Sequence, residues 1–192
     1  MCGRFALDVE TAGRVRISLG IPFDAQANDD VRPTNAVATV AMIDGQLQQL
    51  NTHWGIKPDW ASHLLINAKA ETVATKKTFS LAFAERRCLV PMSGWYEWRD
   101  EGGPRKSKYL FHAKDGSELY MAGIWFPPQT DEVTPALVTL TTTPTELCAQ
   151  YHNRMPLLVA PEDFGYWFRS QPGQLPHLLK QGTSEMITVN QM

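Results

Sequence analysis

The alternation of apolar and polar positions along the chain predicts a strand-rich protein with a few short helices. Val9, Ala12, Val15 and Leu19 recur at helical spacing behind Asp8, a suitable N-cap, and Gly20 and Pro22 end the run. Residues 36–43 (AVATVAMI) and 46–54 (QLQQLNTHW) flank Asp44-Gly45, the strongest hairpin signal in the chain. A short strand is expected over Leu64–Ile66, running into Asn67-Ala68-Lys69-Ala70-Glu71, and a helix over residues 78–86. Apolar runs at 88–92, 94–98, 108–113, 118–126 and 136–142 then read as a meander of strands, separated by turn-formers at residues 100–104 and 114–116. Short helices are expected near 144–150, 162–169 and 175–180, with a strand at 155–159. With no repeat or linker, these elements predict one α+β domain over residues 1–192. Its core is expected to be a curved, barrel-like antiparallel or mixed β-sheet system with short peripheral helices.

A chain of 192 residues can bury a substantial core without staples. Residues 1–20 hold five charged side chains and no apolar block, so no signal peptide or membrane span is expected, and the expected location is the cytoplasm. Three widely spaced cysteines, Cys2, Cys88 and Cys148, fit neither a disulfide framework nor a zinc site; no metal or cofactor is expected. The net charge of −2 argues against indiscriminate coating of nucleic acid. Residues 51–110 nevertheless hold ten Lys/Arg against six Asp/Glu, enough for a local basic surface or merely a solvated face.

The chemistry concentrates at Met1-Cys2-Gly3-Arg4-Phe5. Trimming of Met1 would make Cys2 a 1,2-aminothiol, with an amine titrating near about 7.7–8.0 and a thiol near about 8.5. Such a group condenses with an aldehyde: the amine forms an imine, and the thiol of the same residue closes a thiazolidine ring on it. Arg4 offers a fixed cation for an anionic substrate. The plain alternative is a frayed terminus with an incidental cysteine. Glu97, within Gly94-Trp95-Tyr96-Glu97-Trp98, is a carboxylate among aromatics, suited to proton exchange or simply to the outer face of a strand. His152, in His152-Asn153-Arg154-Met155-Pro156, is an acid–base candidate or a solvated loop residue, and Asn67 can hold a sugar or phosphate oxygen or cap a turn.

Taken together, these stretches resemble the SOS response-associated peptidase (SRAP) family of abasic-site-processing proteins. The landmarks are Met1-Cys2-Gly3-Arg4-Phe5, Pro33-Thr34, Trp54-Gly55 with Pro58 and Trp60, Asn67-Ala68-Lys69-Ala70-Glu71-Thr72, Arg87-Cys88-Leu89-Val90-Pro91, Gly94-Trp95-Tyr96-Glu97-Trp98, Ala122-Gly123-Ile124-Trp125 and His152-Asn153-Arg154-Met155-Pro156. The resemblance implies a sensor of abasic sites in single-stranded DNA that becomes reversibly crosslinked through Cys2 as a thiazolidine. In that reading Glu97 handles the amine, His152 moves a proton at the sugar ring oxygen, and Asn67 holds the opened sugar. Thr141 supports a flanking phosphate, Arg4, Lys69, Lys77 and Arg154 contact phosphates, and Pro33 and Trp54 limit stacking and bend the strand. The implied partners are abasic single-stranded DNA and replication or repair factors; the protein is expected to be monomeric. Two departures stand out: Lys69 where the family usually has arginine, and Asp30 where asparagine is common. The C-terminal Thr188-Val189-Asn190-Gln191-Met192 matches the family poorly. Two other readings remain, an N-terminal-nucleophile cysteine peptidase acting on itself and a non-covalent single-stranded DNA-binding module.

Overall fold

The computed structural model describes residues 2–128, 133–180 and 186–192. Strand β1 (Phe5–Leu7) leads into helix α1 (Val9–Leu19), β2 (Asn28–Val31), β3 (Ala36–Ile43), β4 (Gln46–Trp54), β5 (Asn67–Lys69) and α2 (Ser80–Glu85). Strands β6 (Arg87–Met92), β7 (Gly94–Arg99), β8 (Ser107–Ala113), β9 (Leu119–Phe126) and β10 (Ala136–Thr142) follow, then α3 (Glu146–Ala149), β11 (Met155–Pro156), α4 (Phe164–Arg169) and β12 (Ile187–Gln191). Three-residue 3-10 turns occupy Pro161–Asp163, Pro172–Gln174 and Leu178–Lys180. Asp8 caps α1 by accepting from the Thr11 amide at 2.6 Å. The β3–β4 hairpin turns on Asp44 and Gly45 at φ 50° and 78°, the left-handed pair that a tight turn between twisted strands requires.

The α+β class is as expected. One sheet has the order β12-β8-β7-β1-β2; the other runs β11-β10-β4-β3-β6-β9, with β5 beside β10. Because β10 also pairs with β9, the pairings of the larger sheet run round a circuit. Its last link is a short parallel seam, Ala136 to His53 and Leu137 to Trp54, so the sheet is barrel-like without full-length closure. Period-two alternation then makes two apolar layers. Tyr120, Ala122 and Ile124 of β9 and Val138 and Leu140 of β10 pack with Phe83 and Trp167 of the helices. Met121, Leu137, Cys88 and Val90 point the other way, onto Phe5, Trp95 and Phe111 of the smaller sheet. Full burial of each such large side chain stabilises by about 1.5–3 kcal/mol.

Buried Arg87 ties the helices to this frame, donating to Phe83 O, Trp167 O and Ser170 O at 2.7 Å each. Those carbonyls lie at or near the C-terminal ends of α2 and α4, where helices leave acceptors unpaired and favour a cation. Gly94 is demanded by close approach, since a Cβ there would sit 2.3 Å from Phe111 O.

Several boundaries differ from the sequence expectation. The strand expected at Leu64–Ile66 lies at Asn67–Lys69, because the edge of β10 is open there; Leu65 makes only an isolated bridge to Ile56. The strand expected over 155–159 stops at Pro156, with Leu158 bridging singly to Met121. Of the helix expected at 175–180, only the turn at Leu178–Lys180 forms. Three strands escaped the pattern, β1, β2 and β12, each too short or too polar to announce itself; β12 pairs along the whole of its length with β8.

Candidate functional site

Alternation on two strands from opposite sheets builds the site. In β7, Trp95 faces the layer between the sheets, so Glu97, two residues on, faces it as well and is buried. In β10, Leu137 faces the same layer, and Thr139 and Thr141 follow it inward. Cys2, which precedes β1, enters between them. Its Sγ donates to Glu97 Oε1 at 3.1 Å, and its carbonyl accepts from Asn67 Nδ2 at 3.0 Å. The parallel register of β5 on β10 sets Asn67 opposite Thr139, whose hydroxyl hydrogen-bonds to Asn67 Oδ1. The Cys2 carbonyl fixes the amide flip: it can only accept, so the NH2 group faces Cys2 and the amide oxygen faces Thr139.

Burial, and after it the charge of Glu97, push the Cys2 thiol well above its ordinary value. The group is therefore a protonated thiol hydrogen-bonded to a carboxylate. A carboxylate so placed can take the thiol proton when sulfur attacks, or a proton from a neighbouring amine. Cys148, on α3, lies in the same apolar layer, and burial raises its thiol too.

A second group lies one step along β10. Lys69 is in register with Thr141, and Thr141 with Pro156 of β11. Arg154 donates through Nη1 and Nη2 to the two carboxylate oxygens of Glu71, at 2.7 Å each, and Nη2 also reaches the Thr141 carbonyl. That pairing, ahead of all other causes, holds the Glu71 carboxyl below its ordinary value. The loop after α3 carries His152, whose Nδ1 lies 3.0 Å from the Arg154 amide and 3.1 Å from the Arg154 carbonyl. An unprotonated Nδ1 accepts from the amide and a protonated one donates to the carbonyl, so Nδ1 has a backbone partner in either tautomer.

The structure thus sets Cys2 against both Glu97 and Asn67, and links Lys69, Thr141, Arg154 and His152 in a second group further along β5 and β10. Lys77 is exposed in the turns before α2. Pro33 begins a turn whose Thr34 amide donates to Trp54 O at 2.8 Å. Arg4 lies 2.6 Å from Asp30 Oδ1 and 5.5 Å above the Trp98 ring. Trp54 is placed otherwise than a strand-bending role requires. It is 1 % exposed, packs on Phe5 and donates from Nε1 to Ile66 O at 3.0 Å, so its indole supports the approach to β5. The exposed aromatic of that segment is Trp60, at 69 %.

Sequence reading missed Thr139 and the role of Glu71. Thr139 was detectable as the residue two before Thr141 on an alternating strand, whereas the Glu71–Arg154 fork joins residues 83 apart and has no local signal. Among the described residues no cluster of His, Cys, Asp or Glu could hold a metal ion, and no helix is long and apolar enough to cross a membrane.

This arrangement, Cys2 hydrogen-bonded to a buried glutamate between two sheets, accompanies a match to the SOS response associated peptidase (SRAP) family over residues 1–192, and the chain belongs to that family. Among characterised relatives it is 30 % identical to the abasic site processing protein YedK of Escherichia coli, over 89 % of this chain and 81 % of that one. It is 29 % identical to the abasic site processing protein YoqW of Bacillus subtilis, over 94 % and 87 %. A crystal structure of a protein from Bordetella bronchiseptica superposes over 100 % of this chain and 99 % of its own, with a TM-score of 0.85 at 19 % identity, a likeness of fold.

Proposed function

We propose that this protein captures abasic sites in single-stranded DNA through a reversible covalent bond to Cys2. The observation that carries the reading is the 3.1 Å contact between the Cys2 thiol and buried Glu97, in a chain whose relatives are named abasic site processing proteins. A ring-opened abasic deoxyribose presents an aldehyde at C1′. Removal of Met1, which lies outside the described residues, gives Cys2 a free amine. The amine adds to C1′, water leaves, and the thiol adds across the resulting C=N bond. The thiol proton passes by way of Glu97 to the nitrogen, so the net reaction releases one water and leaves a thiazolidine.

Asn67 orients the Cys2 peptide and has a second amide hydrogen to offer a sugar oxygen. His152 moves the proton that ring opening and reversal both need at the sugar oxygen. Arg4, Lys69, Lys77 and Arg154 contact phosphates, Thr141 supports a flanking one, and Pro33 with exposed Trp60, in place of buried Trp54, limits base stacking beside the lesion. Intact nucleotides carry no electrophile, so selectivity lies in the aldehyde.

The test is incubation of the Met1-processed protein with an oligonucleotide carrying one abasic site, followed by denaturing electrophoresis and mass measurement. The expected product survives denaturant, weighs the sum of its parts less one water, and is lost in Cys2→Ser, because a hydroxyl does not lock the imine. A denaturant-stable product from the serine variant at wild-type yield would refute the thiazolidine.

A further inference from the structure

One carboxylate bridges two arginines at the rim of the site. Asp30 Oδ1 accepts from Arg4 Nη1 at 2.6 Å, and Oδ2 accepts from Arg32 Nε at 2.8 Å and also from Nη2. All three groups reach solvent, with side-chain exposures of 30 % for Arg4 and Asp30 and 57 % for Arg32. Val31, between Asp30 and Arg32, points into the core opposite Phe5, so alternation sends both charged neighbours to the outer face beside Arg4. The Arg4 guanidinium lies over Trp98, one residue from Glu97.

We infer that Asp30 sets how weakly this protein holds an intact single strand, by occupying the guanidinium groups of Arg4 and Arg32 that phosphates would otherwise engage. The inference rests on the reading of Arg4 as a phosphate contact. A phosphate arriving at Arg4 meets a partner already satisfied by a carboxylate, and the approach of the strand carries the cost of setting two anions side by side. The +2 of the arginines is cut to +1 where the backbone passes, on a chain whose net charge is −2. The consequence is functional. A protein that must find rare aldehydes among many intact nucleotides is slowed if every strand retains it, and masking two cations shortens each unproductive visit while leaving the covalent step at Cys2 untouched. Asp30 is a specificity-determining residue acting through Arg4 and Arg32, with no contact to the reacting atoms.

The experiment measures binding of an intact fluorescent oligothymidylate to wild type and to Asp30→Asn, which keeps the side chain's size and one acceptor, over a range of salt concentrations. Asp30→Asn is expected to bind about threefold to tenfold more tightly at low salt. Its log-affinity should fall with log-salt about 0.7 unit more steeply, since one unit of positive charge is restored and single strands contribute about 0.7 per phosphate neutralised. In a second arm, excess intact oligothymidylate competes while adduct forms on an abasic oligonucleotide. The variant is expected to be slowed more than wild type. Asp30→Ser, which removes the carboxylate by a different side chain, should reproduce both effects and guards against a packing artefact of the asparagine. Affinity equal to or weaker than wild type, with an unchanged salt slope, would overturn the inference and make Asp30 a support for Arg4. Absence of adduct from wild type would instead overturn the covalent reading, and the intact-strand comparison does not depend on it.

Discussion

Cys88 and Cys2 are buried thiols in the same layer between the sheets, and their surroundings differ in the one respect that matters for chemistry. Cys88 sits mid-strand in β6, wholly enclosed, and burial pushes its thiol up. Its neighbour across the ladder is Gly123, where a Cβ would meet Cys88 Sγ and Leu137 Cδ1 at 2.9 Å each. Volume decides that region. Cys2 is also buried, yet it stands ahead of the chain's first strand, on a carboxylate, with its carbonyl held by Asn67. Polarity decides this one. Burial by itself makes a thiol inert; a proton acceptor within reach gives it something to do.

The contrast can be broken most sharply on the polar side. His152→Ala should slow adduct formation by about 100-fold or more, as loss of a general acid–base group does, and slow release by a similar factor, while leaving the final yield little changed. A chase of preformed adduct with excess competing abasic oligonucleotide of another length reads the release step. Exchange at the wild-type rate would return His152 to a structural role. On the apolar side, Gly123→Ala should cost about 1–3 kcal/mol of stability by overpacking Cys88, seen in denaturant unfolding, with the adduct rate of the folded protein unchanged. A large loss of rate in the folded variant would show that the two regions are coupled.

The smallest effect concerns the Cys2 thiol itself. Burial is the larger cause of its raised pKa and the Glu97 carboxylate the second, so the thiolate is scarce at neutral pH and alkylation of Cys2 should still be climbing at about pH 9. Glu97→Gln removes the nearby anion, stabilises the thiolate and moves that profile toward lower pH, by less than a full return because burial remains. A profile moved upward, or unmoved, in mass-mapped alkylation would remove Glu97 from the thiol's electrostatics.

Much of the frame was legible in the chain because it rests on local rules. The hairpin at Asp44-Gly45, the capped helix after Asp8 and the strands β6 to β10 follow from turn chemistry and alternation, which neighbouring residues decide among themselves. Strand β5 was misplaced by three residues because its pairing partner, β10, lies some seventy residues away and chooses which stretch completes its edge. Non-local pairing also hid β2 and β12, polar strands made by the edges they join. Cys2, Glu97 and Asn67, singled out by residue type and motif, meet in the structure, whereas Trp54, singled out in the same way, is a buried strut.

What the amino-acid sequence determined by itself was the inventory: a cysteine able to become an N-terminal aminothiol, a glutamate in an aromatic strand, and the period-two pattern that sends Glu97 and Thr139 inward. Only the tertiary structure decided their meeting, because the Cys2–Glu97 contact spans 95 residues and the Asn67–Thr139 contact 72, and register across two sheets, not local propensity, closes such distances. It also decided which charges are already spent, placing Asp30 between Arg4 and Arg32 and Glu71 on Arg154, since an ion pair depends on where two chains of atoms end in space and leaves no trace in residue order.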